Sequence, residues 1–87
     1  MKLSTKGRYG VRALVDIAAN SHGGPVMLKD IAQRQGISAQ YLEHLVAPLI
    51  RAGVLRSVRG PRGGIVLAVP PEEVTLARVI QVLDGSV

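Results

Sequence analysis

The sequence has no cysteine, and it has neither Phe nor Trp. Without thiols the chain forms no disulfide and offers no thiolate to zinc, to an iron–sulfur cluster or to a nucleophilic active site. The aromatic residues are Tyr9 and Tyr41 alone, so the core has to be built from Leu, Ile, Val and Ala. These absences exclude a disulfide scaffold and all cysteine-based chemistry of this chain.

Long apolar runs are also missing. No stretch approaches the roughly 18 apolar residues that a transmembrane helix needs, and residues 1–4 do not open a signal peptide. A chain of 87 residues that is 47% hydrophobic has the composition of one small globular domain. We therefore expect a cytoplasmic protein that is not bound to a membrane.

The charge of the chain is strongly unbalanced. Lys and Arg number 11 against 6 Asp and Glu, which gives a net charge of +5. Two segments hold most of the cations: Lys2, Lys6, Arg8 and Arg12 at the start, then Arg51, Arg56, Arg59 and Arg62. Such clustering favours an anionic partner, nucleic acid first, although a solvated basic surface is the alternative.

The first segment has helical periodicity. Apolar spacing predicts a helix over residues 5–21, capped at its start by Ser4 or Thr5. The apolar stripe expected to face the core comprises Val11, Leu14, Val15 and Ala18. The polar stripe at four-residue spacing comprises Arg8, Arg12 and Asp16, and we expect Asp16 to pair with Arg12.

A helix-turn-helix is predicted over about residues 28–52. A short helix over residues 28–35 starts without a good cap at Met27, and Gly36 suits the left-handed position that follows it. Ser38 can cap the next helix, whose apolar stripe ties it to the core. The alternative is two amphipathic helices that simply pack together.

Pro48 conflicts with the second of these helices. A proline inside a helix removes one backbone hydrogen bond and crowds the preceding turn. We predict either a kink near Ala47 or a break, with Pro48 in the first turn of a separate helical piece.

The last third of the chain predicts a hairpin and a closing helix. Aliphatic segments at residues 54–58 and 65–69 flank the sequence RGPRGG, so the wing spans about residues 54–69. A helix over about residues 75–84 would start at Thr75 and stop at Gly85. The fold class is mainly α with a small β-hairpin, a winged helix-turn-helix that fills residues 1–87.

This fold directs attention to two groups of residues. A helix-turn-helix places the start of its second helix in the major groove, where Gln40 can pair with adenine and Glu43 can accept from cytosine. At the wing, glycines allow the backbone to approach a duplex, while Arg59 or Arg62 enters the minor groove or meets phosphates. An ordinary hairpin turn is the alternative for the wing.

Other functions fit the residues less well. The glycine-rich turn lacks the Gly-Lys-Ser/Thr of a phosphate loop, and His22 and His44 lie in different segments without an evident third ligand. No nucleophile and base stand together, so we predict no enzyme.

A winged-helix module that binds protein would need an exposed apolar patch, and we expect none beyond Met27 and Ala47. Two tyrosines do not make a stacking platform for single strands.

Four segments resemble the Rrf2 family of bacterial transcription regulators: residues 3–9 (LSTKGRY), 31–38, 41–43 (YLE) and 58–64 (VRGPRGG). The likeness covers nearly the whole chain and is strongest to the iron–sulfur cluster regulators of the family. It implies a homodimer on partly palindromic, double-stranded promoter DNA, with bases read at Ser38, Gln40 and Glu43. It also implies that Glu43 limits which class of site is accepted.

Together, pattern and resemblance define the candidate DNA-contacting residues. The recognition helix contributes Ser38, Ala39, Gln40, Tyr41, Glu43 and His44. The wing contributes Arg59, Gly60, Pro61 and Arg62. The DNA backbone is expected to contact Lys2, Lys6, Arg8 and Arg51.

The resemblance also implies what this chain leaves out. Members that sense iron, nitric oxide or redox state carry cysteines beyond the position that matches Val87, and these hold a 2Fe–2S or similar cluster. A long dimerisation helix follows at the same point. We therefore expect no cofactor or metal on this chain, no small-molecule substrate, and a cluster only in a longer natural protein. The resemblance implies a regulator that acts as a repressor or as an activator of transcription.

Overall fold

The computed structural model describes residues 3–85, which fold into four α-helices and a two-stranded antiparallel sheet. The elements are α1 (Thr5–Ala19), α2 (Leu28–Gln35), α3 (Ala39–Arg51), β1 (Leu55–Val58), β2 (Gly64–Leu67) and α4 (Leu76–Asp84). Short 3-10 turns occupy Ser21–Gly23 and Pro71–Glu73. The predicted class, mainly α with a β-hairpin, is confirmed. Lys2 lies outside the described residues. Within residues 3–85, no helix is long and apolar enough to cross a membrane.

Hydroxyl caps define the starts of three helices. Ser4 Oγ accepts from the Gly7 amide at 2.9 Å, Ser38 Oγ from Tyr41 at 3.0 Å, and Thr75 Oγ1 from Arg78 at 3.1 Å. For α1 this settles the choice of cap in favour of Ser4. Met27 caps α2 without a side-chain hydrogen bond, as predicted, and Gly36 ends α2 in the left-handed conformation at φ 68°.

The core is aliphatic. Its largest fully buried side chains come from every main helix and from β1: Ile17, Ile31, Leu42, Leu45, Leu49, Leu55 and Val79. Helix α1 contacts α2, α3, α4 and β2. Gly10 permits the close approach of α1 and α4, since a Cβ at Gly10 would collide with the Leu83 side chain. The small hydrophobic core is thus organised around α1.

Helix α1 departs from the prediction in length and in its buried face. It ends at Ala19, where Asn20 is the C-cap residue and both its amide and its side chain donate to the Asp16 carbonyl, at 3.0 and 2.8 Å. Val15 was expected to face the core, but it is 63% exposed. Its neighbours Leu14 and Ile17 are buried, which means that the packed face is rotated away from Val15.

Helix α3 runs unbroken through Pro48, so the predicted break is wrong. A proline adopts helical φ without strain, and the carbonyl left without a donor is that of His44, one turn earlier, which lies on an exposed residue. Buried Leu45 and Leu49 on either side hold the helix to the core. A kink near Ala47 stays a prediction.

Both strands are shorter than predicted: β1 starts one residue later than expected, and β2 starts one residue and ends two residues earlier. The hairpin register pairs Leu55 with Leu67 and Val58 with Gly64. One further hydrogen bond, from the Ala68 amide to the Val54 carbonyl at 2.9 Å, extends the contact at the open end. The wing is therefore a short, regular hairpin whose glycine-rich tip projects beyond Val58 and Gly64.

Candidate nucleic-acid interface

The first turn of α3 presents polar side chains to solvent. Ser38, Ala39 and Gln40 are exposed, as are Glu43 and His44 one turn later. Tyr41 is half-buried, so part of its side chain packs against the protein and part is accessible to solvent. Leu42, Leu45, Val46 and Leu49 hold the opposite face in the core. The predicted recognition residues thus lie along one accessible face of a firmly packed helix.

A polar groove joins α3 to the start of α1. It is lined by Lys6 of α1, by Glu43, His44 and Arg51 of α3, and by four less polar residues: Ala47, Pro48, Val82 and Leu83. Two cations expected at the DNA backbone, Lys6 and Arg51, therefore lie beside two residues of the predicted recognition surface, Glu43 and His44. Arg8 is also exposed on α1.

The wing tip carries its cations in solvent. Arg59, Gly60, Pro61 and Arg62 are all exposed. The turn is closed by a hydrogen bond from the Gly63 amide to the Gly60 carbonyl, at 2.9 Å. The guanidinium groups of Arg59 and Arg62 are therefore accessible to an anion at the end of the hairpin.

The wing is attached to the helix-turn-helix by a backbone pairing that the sequence did not indicate. Val26, which precedes α2, exchanges two hydrogen bonds with Ile65 of β2, at 3.0 and 2.8 Å. A Cβ on Gly64 would lie 2.5 Å from the Val26 carbonyl oxygen. Glycine at this position is therefore required by the close approach of the two backbones.

The expected pairing of Asp16 with Arg12 is wrong. Asp16 pairs instead with Arg34 of α2, whose Nε and terminal nitrogen donate to the two carboxylate oxygens at 2.9 and 2.7 Å. Gln35 Nε2 donates to the same carboxylate at 3.0 Å. The hydrogen bond from Arg34 lowers the pKa of Asp16, against the raising effect of burial, with further lowering from Gln35 and Asn20. The signal available in the sequence was an acid between two core positions, Leu14 and Ile17.

Arg12 has other partners. Its Nε donates to Gln35 Oε1 at 2.9 Å, and its guanidinium lies 4.9 Å from the centre of the Tyr9 ring. The Tyr9 ring meets Tyr41 edge to face, with centroids 6.0 Å apart. Arg12, which belongs to the polar stripe predicted for α1, is therefore held by ordered contacts although it is exposed.

The residues present do not fit a cofactor of the cluster type. The chain has no cysteine, so it offers no thiolate to iron. Within residues 3–85, no three His, Asp or Glu side chains come together in a way that could hold a metal ion. His22 and His44 are both exposed.

An apolar groove between α1 and α4 was not foreseen. Its lining includes Val11, Val15, Leu67, Val74 and Leu76. Val15 is 63% and Leu76 47% exposed. The expectation that only Met27 and Ala47 expose apolar surface is therefore wrong, because β2 and the Pro71–Glu73 turn leave this side of α1 open.

Known proteins of similar sequence are transcriptional regulators rather than enzymes. Residues 3–87 match the family Rrf2, described as an iron-dependent transcriptional regulator. The regulator IscR of Aliivibrio salmonicida is 51% identical over 87 residues, which are 100% of this chain and 52% of that protein. CymR of Bacillus subtilis is 46% identical over the same length, which is 63% of that protein. The chain thus spans between half and two thirds of these relatives.

Solved structures agree in fold. T. potens IscR superposes with a TM-score of 0.90 at 50% identity, over 100% of this chain and 64% of that one. CymR of B. subtilis, described as its global cysteine regulator, gives 0.92 at 45% identity, over 99% of this chain and 67% of that one. The winged helix-turn-helix architecture is shared throughout. With this fold and a family match over residues 3–87, the chain belongs to the Rrf2 family of transcriptional regulators.

Proposed function

We propose that this protein is a sequence-specific, double-stranded DNA-binding transcriptional regulator of the IscR-like type. The observation that carries the proposal is the polar groove, in which Lys6 and Arg51 flank the recognition residues Glu43 and His44. Cations that hold phosphates and side chains that read base edges have to be adjacent in such an interface. A net charge of +5 supplies the general attraction to DNA.

Each part of the surface then has its own task. The start of α3 enters the major groove, where Ser38, Gln40 and Glu43 meet base edges. The wing enters the minor groove with Arg59 and Gly60, next to Pro61 and Arg62. Contacts to phosphates come from Lys2, Lys6, Arg8 and Arg51 and fix the register without reading sequence.

The family resemblance extends this to a homodimer on partly palindromic promoter DNA, acting in the cytoplasm. Two linked half-sites bind far more tightly than one, because the second contact becomes intramolecular. An iron–sulfur cluster, if the regulator uses one, belongs to a longer natural protein that carries cysteines.

A second candidate function, a winged-helix module that binds protein, is favoured by one observation, the exposed apolar groove between α1 and α4. Protein contact at that groove and DNA contact at α3 use different faces and do not exclude each other. A module restricted to protein binding leaves the exposed arginines of the wing without a role.

The test is selection of binding sites from a random duplex pool at about 50 and 200 mM salt. We expect a half-site or palindrome that is still enriched at the higher salt. Enrichment without a shared sequence, lost at the higher salt, would contradict sequence-specific recognition. A protein carrying both Gln40→Ala and Glu43→Ala serves as control, because it keeps every cation and loses two of the three side chains proposed to read bases.

A further inference from the structure

Two segments that resemble the family, residues 3–9 and 41–43, contact each other through Tyr9 and Tyr41. The DNA contacts proposed above do not explain why a tyrosine stands at each of these two positions. Tyr9 of α1 and Tyr41 of α3 pack edge to face at 6.0 Å, with an interplanar angle of 86°. This is a favoured geometry for aromatic pairs, because the positive edge of one ring meets the negative face of the other. The contact joins α1 directly to the first turn of the recognition helix.

Arg12 also contacts the ring of Tyr9. The guanidinium carbon lies 4.9 Å from the ring centroid, within the range of a cation–π interaction. Arg12 is itself held by Gln35, whose Oε1 accepts from Arg12 Nε at 2.9 Å while its Nε2 donates to Asp16 at 3.0 Å. A continuous set of contacts thus runs from the buried Asp16 carboxylate to Tyr41.

The first turn of α3 needs such support. Its first fully buried residue is Leu42, whereas Ala39 and Gln40 before it are exposed. The preceding turn passes through Gly36 in the left-handed conformation, and its one apolar side chain, Ile37, is half-buried against the core. Tyr41 is the half-buried residue through which the turn contacts α1.

We propose that Tyr9 and Arg12 are positioning residues for base recognition: through Tyr41 they hold the first turn of α3 at the angle at which Ser38 and Gln40 meet base edges. The proposal rests on the function proposed above. It differs from a phosphate contact by Arg12, which would raise affinity for every sequence alike and contribute to the salt dependence.

The test compares affinities for the selected duplex and for a scrambled duplex of equal length. Tyr9→Leu removes the ring, and Tyr9→Phe is the matched control that keeps it. Arg12→Lys keeps the charge at an exposed position but loses the planar group that stacks on Tyr9 and bonds Gln35.

We expect Tyr9→Leu and Arg12→Lys to bind the selected duplex about three- to tenfold more weakly, as the loss of one aromatic or cation–π contact implies. Affinity for the scrambled duplex and the salt dependence should stay at wild-type values, and Tyr9→Phe should match the wild type. An unchanged preference for the selected duplex in Tyr9→Leu and Arg12→Lys would overturn the proposal. So would an equal loss on both duplexes.

Amide hydrogen exchange of the free protein tests the same inference without DNA. In Tyr9→Leu and Arg12→Lys, the Tyr41 and Leu42 amides should exchange faster, while those of Ile65 and Val66 in β2 keep their wild-type protection. Equal protection at Tyr41 in all variants would overturn the inference. A wild type without sequence preference would instead remove the proposed function, and the exchange result would still decide whether Tyr9 orders the helix start.

Discussion

The carboxylate of Asp16 on α1 is bound side-on by the guanidinium of Arg34 on α2, through hydrogen bonds of 2.9 and 2.7 Å. The Asp16 side chain is 3% exposed and that of Arg34 is 41% exposed. The pair therefore places a buried anion under a partly solvated cation, a bidentate arrangement with defined geometry. The pair attaches α2, the first helix of the helix-turn-helix, to α1, around which the core is organised.

Acid should weaken this attachment. Because Arg34 keeps the pKa of Asp16 below its unfolded value of about 3.9, the ionised form stabilises the fold fully above about pH 4. The stabilisation is lost as the pH falls further, through the lowered pKa of the folded state. We expect Asp16→Asn to unfold about 1–3 kcal/mol more easily at pH 7 and to lose less stability on acidification.

Urea unfolding between pH 7 and pH 2.5 measures this difference (about 1 kcal/mol corresponds to a clear shift of the midpoint). The control is Glu73→Gln, an exposed carboxyl in the Pro71–Glu73 turn. Parallel curves for the wild type and Asp16→Asn would show that the ion pair does not contribute to folding.

Replacement of Glu43 should change specificity more than affinity. In Glu43→Ala the carboxylate no longer opposes base edges that cannot donate to it, so more sequences should be accepted. Non-specific affinity should stay equal or rise, since one negative charge is removed. Selection from a random pool, with Glu72→Ala as a charge-matched control away from α3, measures this; identical selected sites for Glu43→Ala and wild type would remove the discriminating role.

Loss of the wing arginine should appear in the salt dependence. Arg59→Ala should lower the slope of log affinity against log salt by about one phosphate-equivalent if the contact is to the backbone. Arg59→Lys keeps the charge, so it should have the wild-type slope. Its affinity should stay below that of the wild type, because lysine lacks the planar guanidinium that fits a narrow minor groove. Equal affinity of Arg59→Ala and the wild type across the salt series would place Arg59 outside the interface.

The attachment of the wing can be tested at Gly64. In Gly64→Ala the new Cβ would lie 2.7 Å from the Val26 carbonyl carbon, so Val26 and Ile65 have to separate. We expect a loss of about 1–3 kcal/mol in unfolding free energy and weaker specific binding, because the wing is displaced from α2. Gly24→Ala is the control, since Gly24 also has a positive φ but has no atom near its added Cβ. Equal losses in the two variants would mean that the backbone strain of a side chain at positive φ causes the destabilisation, and not the separation of Val26 from Ile65.

Much of the local structure could be predicted because it depends on neighbours in sequence. Ser38 and Thr75 cap their helices as expected, and Gly36 takes the left-handed position. Apart from the half-buried Tyr41, the residues expected at the DNA are exposed where the structure describes them, and their contacts with DNA stay predictions. Local rules misled at Pro48, where the packing of Leu45 and Leu49 outweighs the cost of one lost hydrogen bond.

The sequence by itself determined the secondary-structure elements, the aliphatic character of the core and the basic charge, since periodicity, caps and composition act over a few residues. Only the tertiary structure decided which charges and rings become partners. Asp16 lies four residues from Arg12 but pairs with Arg34, because the packing of α2 on α1 brings a second guanidinium to a buried site. Likewise, Val26 meets Ile65 and Tyr9 meets Tyr41 across long separations in sequence. Such contacts depend on the relative placement of whole elements, which the burial of their apolar faces determines.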